Sequence, residues 1–234
     1  MNGFDRGVLV ALNHFAHRAP WVDESTVWVN RGPLKGMVVV TALWWMWFSQ
    51  RPDQRRVRAT LIAAALGSFV ALMTGRVLAL MLPFRDRPLR EPSLGFVLPY
   101  GTGPGDYRGW SSFPSDHAMM YFALSIGLGF VSRRAGVLLT LWTLIVVCLP
   151  RVYAGLHYPT DILAGGLIGG VIAALMQRPP IRDGLGNPLL DLAERRPGLF
   201  YAGLFVVTFG LATMFSDIRQ ALQLLMDLVR RSRT

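Results

Sequence analysis

Six apolar runs, at 34–49, 59–84, 117–131, 136–149, 161–176 and 199–215, constrain the fold of this chain more than any other feature. Within them apolar residues are nearly continuous rather than spaced at a 3.6-residue period, so a helix built from them has no wettable face. Only 16% of the 234 residues are charged, less than a soluble domain of this length carries. The runs are read as membrane spans, and the expected fold is all-α and polytopic, with about six transmembrane helices. Several fall short of the roughly 20 residues of a perpendicular span, so their ends are expected to reach into flanking aromatic and polar residues. The cluster Trp44-Trp45-Met46-Trp47 fits either an interfacial belt or core packing. The opening Met1-Asn2-Gly3-Phe4-Asp5 lacks the basic and apolar blocks of a cleavable leader, so insertion is expected to use the spans themselves.

Arginine placement orients the spans. Arg51, Arg55, Arg56 and Arg58 crowd the first link, Arg133 and Arg134 the third, and Arg178, Arg182, Arg195 and Arg196 the fifth. Positive charge stays inside, so these links are expected in the cytoplasm and the links at 85–115 and 150–160 on the opposite side. A net charge of +10 would suggest nucleic acid in a soluble protein. Here the basic residues form no separate arm and flank apolar runs, which points to anionic lipid headgroups and away from nucleic acid.

One membrane-embedded domain over 1–234 is expected, with an amphipathic segment at 1–33, a six-span core at 34–215 and an amphipathic basic tail at 216–234. Phe4, Val8, Leu12 and Phe15 recur at helical spacing in the first segment, as do Ile218, Leu222, Leu225 and Val229 in the last. Both read as helices lying on the membrane surface. The exported Arg230-Arg231-Ser232-Arg233 tail runs against the charge rule. Small residues at Gly165, Gly166, Gly169 and Gly170 allow close helix approach in lipid, within one chain or across a dimer face. Cys148 is the only cysteine, which leaves no intrachain disulfide and no cysteine metal site.

Three polar islands lie on the two outer links or at the span ends beside them: Arg85-Asp86-Arg87-Pro88, Phe113-Pro114-Ser115-Asp116-His117, and the stretch from Arg151 through His157 to Asp161. Four residues separate His157 from Asp161, so on a helix they share a face. An aspartate bonded to one ring nitrogen would fix the tautomer and leave the other free to attack phosphorus. Arg151, in the loop leading into that helix, could grip phosphoryl oxygens in a bidentate way. At the start of the third span, helix N–H groups and the Ser115 hydroxyl favour an anion, and His117 could act as general acid. Each island alone fits a cap or a snorkelling anchor; together they supply what phosphoryl transfer needs, positioning and charge stabilisation, without a metal. His14 and His17 have no carboxylate or cysteine at ligand spacing. Tyr100, Tyr107 and Trp110, with Gly101, Gly103, Pro104 and Gly105, are read as a lid over a headgroup.

The islands resemble the three signature motifs of the type 2 phosphatidic acid phosphatase (PAP2) superfamily of membrane lipid phosphatases: Lys-x6-Arg-Pro, Pro-Ser-Gly-His and Ser-Arg-x5-His-x3-Asp. The likeness runs from about Arg76 to Gly170. It implies a PAP2-type helical bundle with a cofactor-free and metal-free site facing the periplasm or exterior of a bacterial inner membrane. By position His157 would be the nucleophile, Asp161 its orienting partner and His117 the general acid. Arg87, Arg151, Ser115 and the backbone of Asp116 would bind the phosphoryl group. The implied reaction is hydrolysis of a lipid phosphate or diphosphate, with undecaprenyl diphosphate favoured over phosphatidylglycerol phosphate or lipid A phosphates. A phosphotransferase with the same site, or a non-enzymatic transporter or assembly protein, are the alternatives, and the oligomeric state is left open. Three positions depart from the motifs: Asp116 replaces glycine, which is expected to raise the general acid's pKa; Pro150 replaces serine; and Leu80 stands where the first motif has lysine. Arg76, eleven residues before Arg87 and about 16 Å away along a straight helix, and Arg85 are the candidate replacements.

Overall fold

The computed structural model describes residues 1–103 and 110–215. The tail at 216–234, and Pro104, Gly105 and Tyr107 of the expected lid, lie outside the described residues. All the regular structure described is helical: α1 Gly3–Asn13, α2 Pro20–Arg31, α3 Leu34–Phe48, α4 Gln54–Met81, α5 Asp116–Gly129, α6 Arg133–Trp142, a π-helical turn Thr143–Cys148 running straight into α7 Leu149–Tyr153, α8 Pro159–Met176, α9 Pro179–Arg195 and α10 Pro197–Thr213. Three helical runs are long and apolar enough to cross a membrane, Gln54–Met81, Arg133–Tyr153 and Pro159–Met176, and α3 and α10 are shorter apolar helices. Each expected run thus falls on helix, with α5 as the remaining one. The protein is an all-helical integral membrane protein.

The core forms around α5, whose Met119, Met120, Tyr121, Leu124 and Leu128 are fully buried between α4 and α8. The small residues of α8 make this possible. A Cβ on Gly165 would sit 2.7 Å from the Ser115 carbonyl oxygen, and one on Gly169 would collide with the Met119 carbonyl. Gly166 and Gly170 face Phe122 and Ile126 of the same helix. The glycines are therefore spent on contact within the chain, and they draw the start of α8 against the start of α5. Leu163, Leu167 and Val171, on the other side of α8, are exposed, as a lipid-facing stripe would be. Gly169→Val is expected to overpack this contact by roughly 1–3 kcal/mol, seen as a lower detergent-solubilised Tm, whereas Leu167→Val leaves it nearly unchanged.

Several elements depart from the sequence reading. The link at 178–198 forms α9, which packs on α4 through Gly186 against Ala59 and through Arg55, 2.5 Å from Asp191 and 2.8 Å from Glu194. Arg151 lies in the last turn of α7 rather than in a loop, because the helix begun at Arg133 continues through the π-helical turn just before Pro150, the residue that lacks an N–H. The tryptophan cluster divides: Trp45 is exposed and Trp47 buried. In α1, Phe4 faces outward while Asp5 and Leu9 turn inward, and Phe15, in the turn beyond α1, is also exposed.

Candidate active site

The end of α4, the start of α5, the end of α7 and the start of α8 meet at one end of the bundle, and this is where the polar islands converge. Ser115 caps α5, its hydroxyl accepting from the Ala118 N–H at 3.4 Å, while its own N–H donates to the Asp161 carbonyl at 3.3 Å. Backbone bonds thus tie the second island to the third. Between α7 and α8 the chain reverses at Gly155, whose φ of 67° suits glycine. The Leu156 N–H closes the turn on the Arg151 carbonyl at 2.9 Å, and Arg87 Nη1 holds the Leu156 carbonyl at 2.8 Å.

This turn leaves His157 before α8 rather than on it, so His157 and Asp161 do not share a helical face. The His157 Nδ1 lies 2.8 Å from the Ser112 carbonyl oxygen and 3.7 Å from Asp161 Oδ2. A carbonyl only accepts, so Nδ1 carries the proton and Nε2 is left with its lone pair. Asp161 serves a different set of partners: Oδ2 accepts from the Tyr158 N–H at 2.8 Å, and Oδ1 from Arg85 Nη1 at 2.6 Å.

His117 Nδ1 lies 2.8 Å from Asp116 Oδ1, which also accepts the His117 N–H. The residue that departs from the motif glycine is thus the imidazole's partner. On the ring's other side, Arg151 Nη2 donates to His117 Nε2. Arg151, Arg87, His157, Ser115 and Asp161 are all buried, with Arg151 only 2% exposed, and Arg151 Nε has no hydrogen-bond partner. Burial, the largest influence, pushes His157 below the ordinary imidazole range; the Asp161 carboxylate opposes this, and the Arg87 and Arg151 charges reinforce it.

The two candidate replacements for the motif lysine point elsewhere. Arg85 spans Asp161 and Asp5, donating to Asp5 Oδ2 at 2.9 Å and to Thr160 at 3.0 Å, with its guanidinium over the Tyr158 ring. Arg76 donates to the Met214 carbonyl at 3.2 Å. Sequence reasoning missed the N-terminal contribution. Asp5, fully buried, accepts from the Thr160 N–H and hydroxyl as well as from Arg85, and so braces the start of α8. Asp23 of α2 accepts from the Tyr153 hydroxyl and from the backbone of His17 and Tyr100. The available signal was the presence of charged residues on the inner side of an amphipathic helix. His17 stacks on Tyr100, and Arg31 holds the Gly101 carbonyl, so Tyr100 and Gly101 of the expected lid are fastened to the turn after α1 and to α2.

Residues 82–180 match the model of the PAP2 superfamily. Over this stretch the chain is similar to the PAP2 superfamily. Among its relatives, YbjG of Escherichia coli K12 is 26% identical over 164 residues, 70% of this chain and 76% of that one. Undecaprenyl-diphosphatase BcrC of Bacillus subtilis 168 is 23% identical over 192 residues, 80% of this chain and 89% of that one. A stretch of 68 residues is 42% identical to lipid A 4'-phosphatase of Bacteroides thetaiotaomicron, covering 28% of this chain and 30% of that one. No solved structure is significantly similar. The PAP2 match contains all three islands, and Leu80, Arg76, α1, α2 and α3 lie before it.

Proposed function

We propose that this PAP2-like protein hydrolyses a lipid diphosphate, undecaprenyl diphosphate by preference, through a phosphohistidine at His157 and without a metal. The observation that carries the reading is the buried pairing of His157, its Nε2 free, with Arg87 and Arg151 and the His117–Asp116 couple. His157 Nε2 attacks the terminal phosphorus and the bond to the bridging oxygen breaks. Once Arg151 turns from it to the phosphoryl oxygens, His117 Nε2 takes up a proton from solvent and gives it to the departing lipid monophosphate, with the Asp116 carboxylate balancing the charge of the protonated ring. Water, deprotonated by His117, then cleaves the P–N bond and releases phosphate. Arg87, Arg151 and the N–H groups at the start of α5 neutralise the equatorial oxygens in place of a metal. The name of the Bacillus subtilis relative supports undecaprenyl diphosphate as substrate; that of the Bacteroides thetaiotaomicron relative makes a lipid A phosphate the comparison. The charge rule supports an inner-membrane position with the site on the periplasmic face, since Arg55, Arg133 and Arg178 gather at the opposite end of the bundle.

Detergent-purified protein in EDTA is expected to release free phosphate from undecaprenyl diphosphate faster than from phosphatidate or lipid A. Phosphate appearing on a second lipid instead would make it a phosphotransferase, and no transfer to lipid or water would end the enzymatic reading. The pH profile is a separate check. Only neutral His157 attacks, and its folded pKa is below the free value of about 6.5. The acid limb of kcat/KM is therefore expected below pH 6.5, and Asp161→Asn, which removes the opposing carboxylate, moves it lower still. An acid limb above 6.5 would point to another nucleophile.

A further inference from the structure

The first motif's lysine position is not merely empty: Leu80 is 81% exposed on the outer side of α4, so no side chain there faces the site. Yet the sequence contains one lysine among its 24 basic residues, Lys35 at the start of α3, and it is only 7% exposed. Lys35 Nζ donates to the Asn30 and Gly32 carbonyls, both at 2.8 Å, and no carboxylate pairs with it among the described residues. Its charge acts on Arg151 and on His117. The surroundings lock this placement. Asn30 Nδ2 donates to the Pro150 carbonyl next to Arg151, and Trp142 Nε1 to the Lys35 carbonyl, both at 3.2 Å. A Cβ on Gly36 would lie 2.5 Å from the Tyr121 hydroxyl, one helical turn from His117.

We propose that Lys35 holds the transferred phosphoryl group, supplying from α3 the cation that the α4 position lacks. The inference rests on the phosphatase reading. The side chains of two buried cations, Lys35 and Arg151, hydrogen-bond only carbonyls and a histidine nitrogen, Arg151 Nε has no partner, and the carboxylate that acts on Arg151, Asp116, is bonded to His117. Buried charge is costly unless an opposite charge meets it, and within a span an ionisable side chain is functional by default. A phosphoryl dianion between them supplies the counter-charge that Asp116, engaged with His117, does not extend to Lys35, and the third Nζ proton is available to it. Arg85 and Arg76 are committed to Asp5, Asp161 and the Met214 carbonyl. The competing role is structural, Lys35 as a cap on the last carbonyls of α2.

Orthovanadate, a mimic of the pentacoordinate phosphorus, separates the two. Lys35→Gln is expected to lower kcat/KM by about 10²–10³-fold, the usual scale for removing one donor to a developing oxyanion, and to weaken vanadate inhibition with it. Lys35→Arg is expected to recover part of both. Because Lys35 is the only lysine, wild-type protein grown with 13C-lysine gives a single side-chain Cε resonance, and vanadate is expected to shift it; this readout stands even if Lys35→Gln fails to fold. A resonance unmoved by vanadate that fully inhibits the wild type would overturn the role of Lys35 and leave the phosphatase reading intact. A wild type that neither binds vanadate nor releases phosphate would remove both.

Discussion

Replacing His157 with alanine is expected to reduce phosphate release by about 10⁴–10⁶-fold, the scale on which removal of a catalytic nucleophile acts. The fold should survive, because the side chain makes one hydrogen bond, to the Ser112 carbonyl, and the turn that carries it is held by the Leu156 N–H and by Arg87. Wild type given 32P-labelled lipid diphosphate and quenched in alkaline detergent is expected to hold an acid-labile, base-stable phosphoryl label that His157→Ala lacks. His117→Ala should accumulate the label rather than lose it when the leaving group needs no proton, since the same imidazole is needed to activate water. Label retained in His157→Ala would place the nucleophile elsewhere and end the proposed mechanism.

Arg151→Lys is expected to cost about 10³-fold in kcat/KM, within the range for a guanidinium that stabilises phosphoryl transfer, although it preserves the charge. Arg151 donates to His117 Nε2 in the resting site, and its Nε is buried without a partner. A planar fork can turn from the histidine to two phosphoryl oxygens, freeing His117 to carry a proton as the substrate arrives. A lysine ammonium is a single point and cannot do both. The loss should therefore appear in kcat as well as in KM. A variant that changes KM alone would make Arg151 a simple anchor.

The residues that meet at the site were legible because their chemistry is uncommon beside apolar runs. His117, Arg151, His157, Arg87, Ser115 and Asp161 stand at span ends, and connectivity brings those ends together. Their hydrogen bonds were not legible. The spacing of His157 and Asp161 suggests one helical face, but Pro159 starts α8 two residues too late for that. His157 is instead bonded to Ser112, a backbone oxygen with no sequence signal, and Asp161 binds Arg85. Asp116 looked like a substitution near phosphate and is the partner of His117. Arg76 and Arg85 looked equally able to replace the motif lysine; their bonds to Met214 and to Asp5 and Asp161 are tertiary facts.

By itself the sequence determined the helical membrane architecture, because apolar runs in lipid leave the backbone no other way to satisfy its N–H and C=O groups. It also determined which end of the bundle carries the polar islands, since that follows from span order alone. Tertiary structure decided how α1, α2 and α3 join that end. Asp5, Asp23 and Lys35 belong to no motif along the chain, and their burial depends on packing between elements far apart in sequence. A local pattern records which face of a helix is apolar; it does not record which other helix will cover a charge.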